Sequence, residues 1–192
     1  NVINWNSAFY GAKIENDKTV EIDMTKVTNQ DNTWAFYEAM PKTVSAEITL
    51  KAKTNAVFRY LFTQCNNTNK YGFINAVIDD ISDGTNINTL SDLFKSAKGI
   101  KSISINAVLN NVKYLNNTFQ DMNSSLKSGM LQVLDISNWD IDWTKVEQLK
   151  NMCQGSKYLT EIKLASEAPV LTDANPYMAF NGCSYLTKIG IG

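Results

Sequence analysis

The chain of 192 residues contains no histidine and only three cysteines and three prolines. Without histidine, a serine or cysteine nucleophile has no imidazole base to activate it, and imidazole metal sites are excluded as well. No apolar run reaches the roughly 18 residues that a membrane-spanning helix needs, so we expect no membrane insertion by this segment. The formal net charge is −1 and no basic stretch is present, which argues against nucleic acid as a partner.

Charged residues make up 19% of the chain, and asparagine carries much of the remaining polarity. An average globular chain has about 25% charged residues. Asparagine tolerates left-handed backbone conformations, so its abundance fits many turns between repeated units. A compositional bias of the source genome and a functional polar surface are the alternative interpretations.

A pair of apolar residues, separated by a single residue, recurs seven times along the chain. The first members stand at positions 22, 48, 74, 103, 134, 162 and 189, so the steps between them are 26, 26, 29, 31, 28 and 27. Such a period predicts a solenoid, in which each unit stacks only on its neighbours. The third pair is either Ile74/Ala76 or Ala76/Ile78. The other pairs are Ile22/Met24, Ile48/Leu50, Ile103/Ile105, Leu134/Ile136, Ile162/Leu164 and Ile189/Ile191.

A short segment carrying Phe or Met precedes each pair. From Phe94 and from Phe180 the next apolar positions follow at offsets of 6, 9 and 11, and from Met152 they follow at offsets of 7, 10 and 12. The agreement between separated segments indicates that one unit is repeated.

Helix-start patterns mark several of these segments. Asn175 before Pro176 matches a helix start. Two capping-box patterns, Thr144/Glu147 and Thr89/Asp92, also predict helix starts. The sequence therefore predicts one α/β domain over residues 1–192, a solenoid of about seven units of about 26–31 residues each. A parallel sheet should form one face and short helices the other.

The cysteines follow the same repeat. Cys65 and Cys183 each lie three residues after a Phe, in units that are four apart. At about 5 Å per unit they are too distant to form a disulfide. We predict three small buried thiols, with a disulfide between Cys153 and Cys183 as the alternative.

Residues 134–152 are LDISNWDIDWTKVEQLKNM, and residues 178–186 are MAFNGCSYL. These phrases resemble the BspA-like leucine-rich repeats of bacterial surface proteins, which include a mycoplasma-lipoprotein variety. Residues 134–191 match well, whereas residues 1–133 match through spacing and scattered phrases. The resemblance implies a right-handed leucine-rich-repeat solenoid, part of a longer secreted or surface-anchored bacterial protein. It also implies binding of host or matrix molecules and brings no catalytic residues.

The outward positions of the strands are the candidate partner-binding residues. If a partner docks on the sheet, these side chains meet it; a solvated sheet face is the alternative. Acidic residues gather at the N-terminal end and lysines at the C-terminal end, which would orient a charged partner. Phe73 is the one aromatic among them, so no stacking platform for sugars or bases is evident there. The candidates are Glu21, Asp23, Glu47, Thr49, Phe73, Asn75, Ser102, Ser104, Asp135, Glu161, Lys163 and Lys188.

Two other acidic patterns carry less weight. The cluster at residues 79–84 (DDISDG) invites a calcium interpretation, but its spacing departs from the calcium-loop pattern, and a solvated turn is predicted. No pair of carboxylates is singled out for glycoside hydrolysis. We therefore expect no catalytic residues, no metal and no cofactor.

The leading hypothesis is a non-catalytic extracellular binding or adhesion module that recognises a protein or glycan partner, host or matrix molecules included. One alternative is an architectural spacer that holds another domain away from the cell surface. Another is the repeat region of a secreted hydrolase whose catalytic domain lies elsewhere. A spacer predicts no exposed apolar or aromatic cluster, whereas a binding module predicts at least one.

Overall fold

The computed structural model describes residues 5–27, 34–68, 70–124, 129–165 and 176–191. The chain coils into about six turns of a parallel β-solenoid, where about seven units were predicted. The predicted solenoid and its parallel sheet are confirmed. The strands are β1 (Lys13–Ile14), β2 (Lys18–Met24), β3 (Met40–Pro41), β4 (Glu47–Thr54), β5 (Phe73–Asp80), β6 (Ile100–Asn106), β7 (Val133–Asp135), β8 (Glu161–Leu164) and β9 (Lys188–Ile191).

The strands form three sheets: β1–β3, β2–β4–β5–β6 and β7–β8–β9. Burial alternates along β4 and β5, so every second side chain faces the interior, as a strand with one buried face requires. Between β6 and β7 the sheet is interrupted, and a cavity of about 290 Å³ opens there beside Asp135 and Trp139. Because no described strand covers that edge of β6, Ile103 and Ile105 are only half-buried.

We call β2–β4–β5–β6 the first sheet and β7–β8–β9 the last sheet. The observed strand register agrees with the register predicted from the sequence in the middle of the first sheet and throughout the last sheet. Glu47 lies opposite Phe73, and Ile48 lies opposite Ile74. The predicted alignment of β2 is wrong, because Ile22 lies opposite Ala52, four residues beyond Ile48. Apolar residues alternate along β2, so any even shift keeps the same face buried and the pattern alone cannot choose between registers.

The third unit uses both of its alternative pairs. Toward β4, Ile74 and Ala76 lie opposite the predicted pair of that strand. Toward β6, a bulge beside Asn75 shifts the register, so that Ala76 lies opposite Ile103 and Ile78 opposite Ile105. A bulge inserts one extra residue on one strand, which explains why a single spacing rule fails here.

The wall opposite the sheet is built from turns, and the predicted short helices are absent from the described residues. The one helical segment there is a 3₁₀ turn, Trp143–Lys145, capped by Asp142. Elsewhere residues with positive φ recur along the wall; Asp92 (φ 62°) and Ser96 (φ 56°) flank Phe94. Left-handed residues at such short intervals interrupt a right-handed helix. We call this surface the turn wall.

The turn wall is held together by backbone hydrogen bonds between successive coils. The Phe62 amide donates to the Leu93 carbonyl at 3.1 Å, and the Phe94 amide donates to the Thr118 carbonyl at 2.8 Å. These bonds satisfy amides that helix formation would otherwise have paired within one coil.

The two predicted capping-box threonines do not cap α-helices. The Thr89 hydroxyl accepts the Ser91 amide at 3.0 Å and closes a turn, whereas Thr144 lies inside the 3₁₀ segment and donates its amide to the cap residue, at Asp142 Oδ1, at 3.1 Å. Short polar side chains form hydrogen bonds with backbone amides in turns as readily as at helix ends. The capping patterns therefore predicted helices where the chain forms turns. The predicted cap at Asn175 lies outside the described residues.

An aromatic spine runs through the interior behind the turn wall. Its rings are Phe9, Phe36, Phe62, Phe94 and Phe119, stacked with centroids 5.3–5.8 Å apart. This stacking explains why one Phe recurs in each of these coils.

The next place in the spine belongs to Cys153, and Trp139 covers the Phe119 ring at 6.0 Å instead. The predicted alignment on Met152 was therefore one residue early. Measured from Cys153, the offsets to Leu159, Ile162 and Leu164 become 6, 9 and 11, as in the other coils.

The last core pair is less buried than predicted. Ile189 in β9 is 45% exposed, because β9 pairs with β8 on one side and no described strand covers its other side.

All three cysteines are free. Cys65 and Cys153 are buried, and the half-buried Cys183 thiol donates to the Cys153 carbonyl at 3.0 Å. Burial raises the pKa of the Cys183 thiol to about 11, and it raises the pKa values of Cys65 and Cys153 also.

We therefore expect slow thiol labelling of the native protein at pH 8, because thiolate, the reactive form, is scarce below a raised pKa. Cys183 should react first, and its rate should climb as pH rises toward 11. Time-resolved mass spectrometry after addition of a thiol reagent measures this order. Rapid native labelling of Cys65 or Cys153 would contradict their burial.

Candidate functional site

Most charges on the predicted sheet face pair with each other. Lys163 lies 3.2 Å from Asp135, and Lys188 lies 2.7 Å from Glu161, both within the sheet β7–β8–β9. In the first sheet Lys51 lies 3.2 Å from Glu21, and Lys101 pairs with Glu47. A partner that used these charges would first have to separate pairs that already exist.

The register of β2 removes the predicted charge gradient. Glu21 lies opposite Lys51, and Asp23 lies opposite Lys53, so lysines alternate with the acidic residues at the N-terminal end. The alignment predicted from the sequence placed Glu21 and Asp23 beside Glu47 and Thr49. It therefore did not place Lys51 and Lys53 opposite these two carboxylates.

The uncharged candidates of the first sheet join the same network or lie partly buried. The Asn75 amide donates to Glu47 at 2.8 Å, and the Ser102 hydroxyl donates to Asn75 at 2.6 Å. The Lys101 and Asn75 hydrogen bonds hold the pKa of the Glu47 carboxyl below its usual range.

The remaining candidates do not extend this network into one continuous face. Thr49 and Phe73 are half-buried, and Ser104 lies opposite Val77 on the far strand. The interruption after β6 separates all of these residues from Asp135, Glu161, Lys163 and Lys188.

Four aromatic side chains cluster on the turn wall of the first three coils. The Tyr10 and Tyr37 rings stack at 5.5 Å, and Trp34 stacks on Tyr37 at 5.1 Å. Tyr60 meets Trp34 edge to face at 5.4 Å. Tyr10 is 61% exposed and Trp34 is 38% exposed. We call Tyr10, Trp34, Tyr37 and Tyr60 the aromatic platform.

The aromatic spine positions this platform. Tyr10 and Tyr37 directly follow the spine residues Phe9 and Phe36, so their rings point out of the wall where the spine rings point in. Trp34 and Tyr60 occupy another outward place, two residues before a spine phenylalanine. The platform is therefore assembled from successive coils.

The next three coils carry polar side chains at the place of Trp34 and Tyr60, and the last described coil carries Met178. There the Asn117 amide donates to Asp92 at 3.0 Å, and the Asn151 amide donates to Asn117 at 3.2 Å. The aromatic platform is thus confined to the first coils, and at the place of Trp34 and Tyr60 the following coils carry the polar ladder Asp92, Asn117 and Asn151.

Tyr60 adopts a left-handed conformation, with φ 64°. The equivalent residues Asp92 (φ 62°), Asn117 (φ 56°) and Asn151 (φ 56°) are types that tolerate this region, whereas Met178 (φ 55°) in the last described coil is bulky like Tyr60. A bulky residue there costs free energy, and such strain concentrates at binding sites.

Replacing Tyr60 by Asn should therefore change the free energy of unfolding by less than about 1 kcal/mol, because relief of strain offsets the lost ring contacts. Chemical denaturation of the native chain and of the Tyr60→Asn variant measures this change in the free energy of unfolding. A loss above about 2 kcal/mol would show that the ring is needed for folding and would remove the argument from strain.

Arg59 connects the platform to a groove. It is the only arginine in the chain, and its guanidinium lies 4.5 Å from the Tyr60 ring centroid. Among the described residues no carboxylate forms an ion pair with it. Two cavities of about 490 and 430 Å³ meet at Asn88, and Arg59 lines the second. We call them the amide groove; its polar lining residues are Asn55, Arg59, Thr85, Asn86, Asn88, Thr89, Ser91, Tyr114, Asn116 and Gln148.

Sequence reasoning missed the platform because it considered strand positions alone. A signal was present, since Tyr37 follows Tyr10 by 27 positions and Tyr60 follows Trp34 by 26, both close to the repeat period. Side chains at equal phase on successive coils lie next to each other, so these aromatic rings come into contact.

The acidic cluster at residues 79–84 closes turns. Asp80 is nearly buried and accepts the Ala56 amide at 3.1 Å, while Asp83 accepts the Thr85 amide at 3.0 Å. Asp80 is thus more buried than the predicted solvated turn.

Comparisons with protein-family models, characterised proteins and solved structures found no match for the chain. The resemblance to bacterial leucine-rich repeats stays a prediction. Within the described ranges, no helix has the length and apolarity needed to cross a membrane.

Proposed function

We propose that the chain is a non-catalytic binding module of a bacterial extracellular or cell-surface protein, and that the aromatic platform is its contact surface. The observation that supports this proposal is the exposure of the aromatic platform, in which the Tyr10 side chain is 61% exposed. Tyr and Trp dominate binding hot spots because they combine large apolar area with a polar group.

The platform also loses little freedom on binding. Its rings already stack on one another, and the Tyr37 hydroxyl donates to Gln64 at 2.6 Å, so few side-chain rotations remain to be restricted. On the sheet face, by contrast, Glu21, Glu47 and Asp135 are already paired with lysines. A partner would have to separate these pairs before it could use their charges.

The phrases at residues 134–152 and 178–186 support assignment to the BspA-like leucine-rich repeats, and with it the surface location. The absence of histidine supports a non-catalytic role. The spacer alternative predicted no exposed aromatic cluster, so the platform favours a binding module. A hydrolase repeat region remains the second alternative, and sequence flanking this chain would test it.

The test is a screen of the chain against immobilised oligosaccharides and extracellular-matrix proteins, with variants in parallel. At least one panel member should bind, and Tyr10→Ala and Trp34→Ala should each weaken that binding by about tenfold or more. Tyr185→Ala is the matched control, because Tyr185 is 52% exposed and stacks on Tyr158 at 5.0 Å, away from the platform. Absence of any binding would support the spacer instead, and equal loss with Tyr185→Ala would show that the platform is not the contact surface.

A further inference from the structure

We propose that the amide groove and the platform together bind an acidic oligosaccharide, with sugar rings on the aromatic rings and a sugar carboxylate on Arg59. This inference rests on the proposed function and names its ligand class. Arg59 adjoins both surfaces, since its guanidinium lies over the Tyr60 ring of the platform and the residue also lines the groove. A single extended ligand can therefore contact the platform and the groove at once.

The groove has the polar groups that a sugar needs. Side-chain amides present two donors and one acceptor each, and hydroxyls both donate and accept, which matches the hydroxyl groups around a sugar ring. Asn86 and Asn88 supply amides, and Thr89 and Ser91 supply hydroxyls, whereas the Asn116 amide already donates to Gln148 at 2.6 Å. The two cavities, about 490 and 430 Å³, each lie within the ~300–1,000 Å³ typical of ligand sites.

Charge selects an acidic ligand. No carboxylate of the described chain lines either cavity, and Glu147, next to Gln148 in the chain, is already paired with Lys113 at 2.8 Å. The Arg59 guanidinium therefore carries a positive charge that no described carboxylate neutralises. A guanidinium binds a carboxylate through two parallel hydrogen bonds, which favours a sugar acid over a neutral sugar.

The same surface suits other partners less well. A nucleic acid would need several cations along its phosphates, and Arg59 is the one cation among the described residues that line the groove. A protein partner would need an apolar pocket to bury an anchoring side chain, whereas amides and hydroxyls form most of this lining. Aromatic faces beside a polar groove fit the apolar face and the hydroxyl rim of a sugar ring.

The test titrates the full chain with a hyaluronan hexasaccharide and with the same hexasaccharide after reduction of its carboxyl groups. The acidic form should bind about tenfold more tightly, and added salt should narrow the difference. Arg59→Gln should abolish the preference for the acidic form. Arg59→Lys should keep only part of that preference, because an ammonium lacks the planar fork of donors that a guanidinium has. Trp34→Ala should weaken both forms equally, and Tyr185→Ala should weaken neither. A comparison of the affinities for sialyllactose and for lactose tests the same preference with another sugar acid.

Equal affinity for the acidic and reduced forms, or an unchanged preference in Arg59→Gln, would overturn the inference. If no oligosaccharide binds but an arrayed protein binds through Trp34, the ligand class is wrong and the proposed binding function stands. If neither oligosaccharide nor protein binds, both proposals fail.

Discussion

Replacing Phe62 by alanine should lower the free energy of unfolding by about 3–5 kcal/mol. Phe62 is fully buried, and its ring stacks on Phe36 and on Phe94 at 5.3 Å on either side. The substitution leaves a cavity between two coils, and stacked neighbours on both sides limit how far the site can collapse. Each coil is stabilised by its neighbours, so the loss should spread along the spine.

Chemical denaturation followed by far-UV circular dichroism measures this loss. Val44→Ala is the control, since Val44 is 69% exposed and its truncation should stay within about 0.5 kcal/mol. A Phe62→Ala protein as stable as the control would show that the stacked rings do not stabilise the solenoid.

Gly72→Ala should destabilise the fold by at least about 3 kcal/mol, or prevent folding altogether. A Cβ at this position would lie 1.7 Å from the Ala46 carbonyl oxygen, a contact that no rotamer relieves. Neither backbone is free to move, because the Phe73 amide donates to that carbonyl at 2.8 Å and the Gly72 amide donates to Thr43 at 2.9 Å. Glycine is thus required where β5 begins beside the preceding coil.

Gly190→Ala provides the matched control. There an added Cβ would meet the Lys188 and Glu161 side chains at 3.7 and 3.8 Å, which are ordinary contacts. We expect Gly190→Ala to fold with little change in midpoint, whereas soluble Gly72→Ala with an unchanged midpoint would contradict the close approach of the two coils.

The sequence predicted the solenoid because apolar pairs at a nearly constant period allow little else. It also predicted the register of Ile162 against Ile189, where strand and spacing rules agree. It could not align Ile22, because alternation along β2 permits several even shifts. It placed helices at Thr89 and Thr144 because one polar side chain serves helix caps and turns alike.

The candidate site could be predicted only in part. Strand alternation correctly placed residues such as Asp135 on the outside, but it could not show that Lys163 already pairs with that carboxylate. The platform was hidden because Tyr10 and Tyr37 sit next to buried phenylalanines in segments assigned to helices. Their direction depends on turn geometry that spacing alone does not specify.

The claim that the turn wall, not the sheet face, meets the partner can be measured directly. For a partner found in the screen, affinities would be compared for two double variants, Trp34→Ala/Tyr60→Ala on the wall and Thr49→Ala/Lys163→Ala on the sheet. We predict that the wall variant loses about 30-fold or more in affinity while the sheet variant stays within about threefold of the native chain. The reverse pattern, with binding lost on the sheet and kept on the wall, would contradict the account.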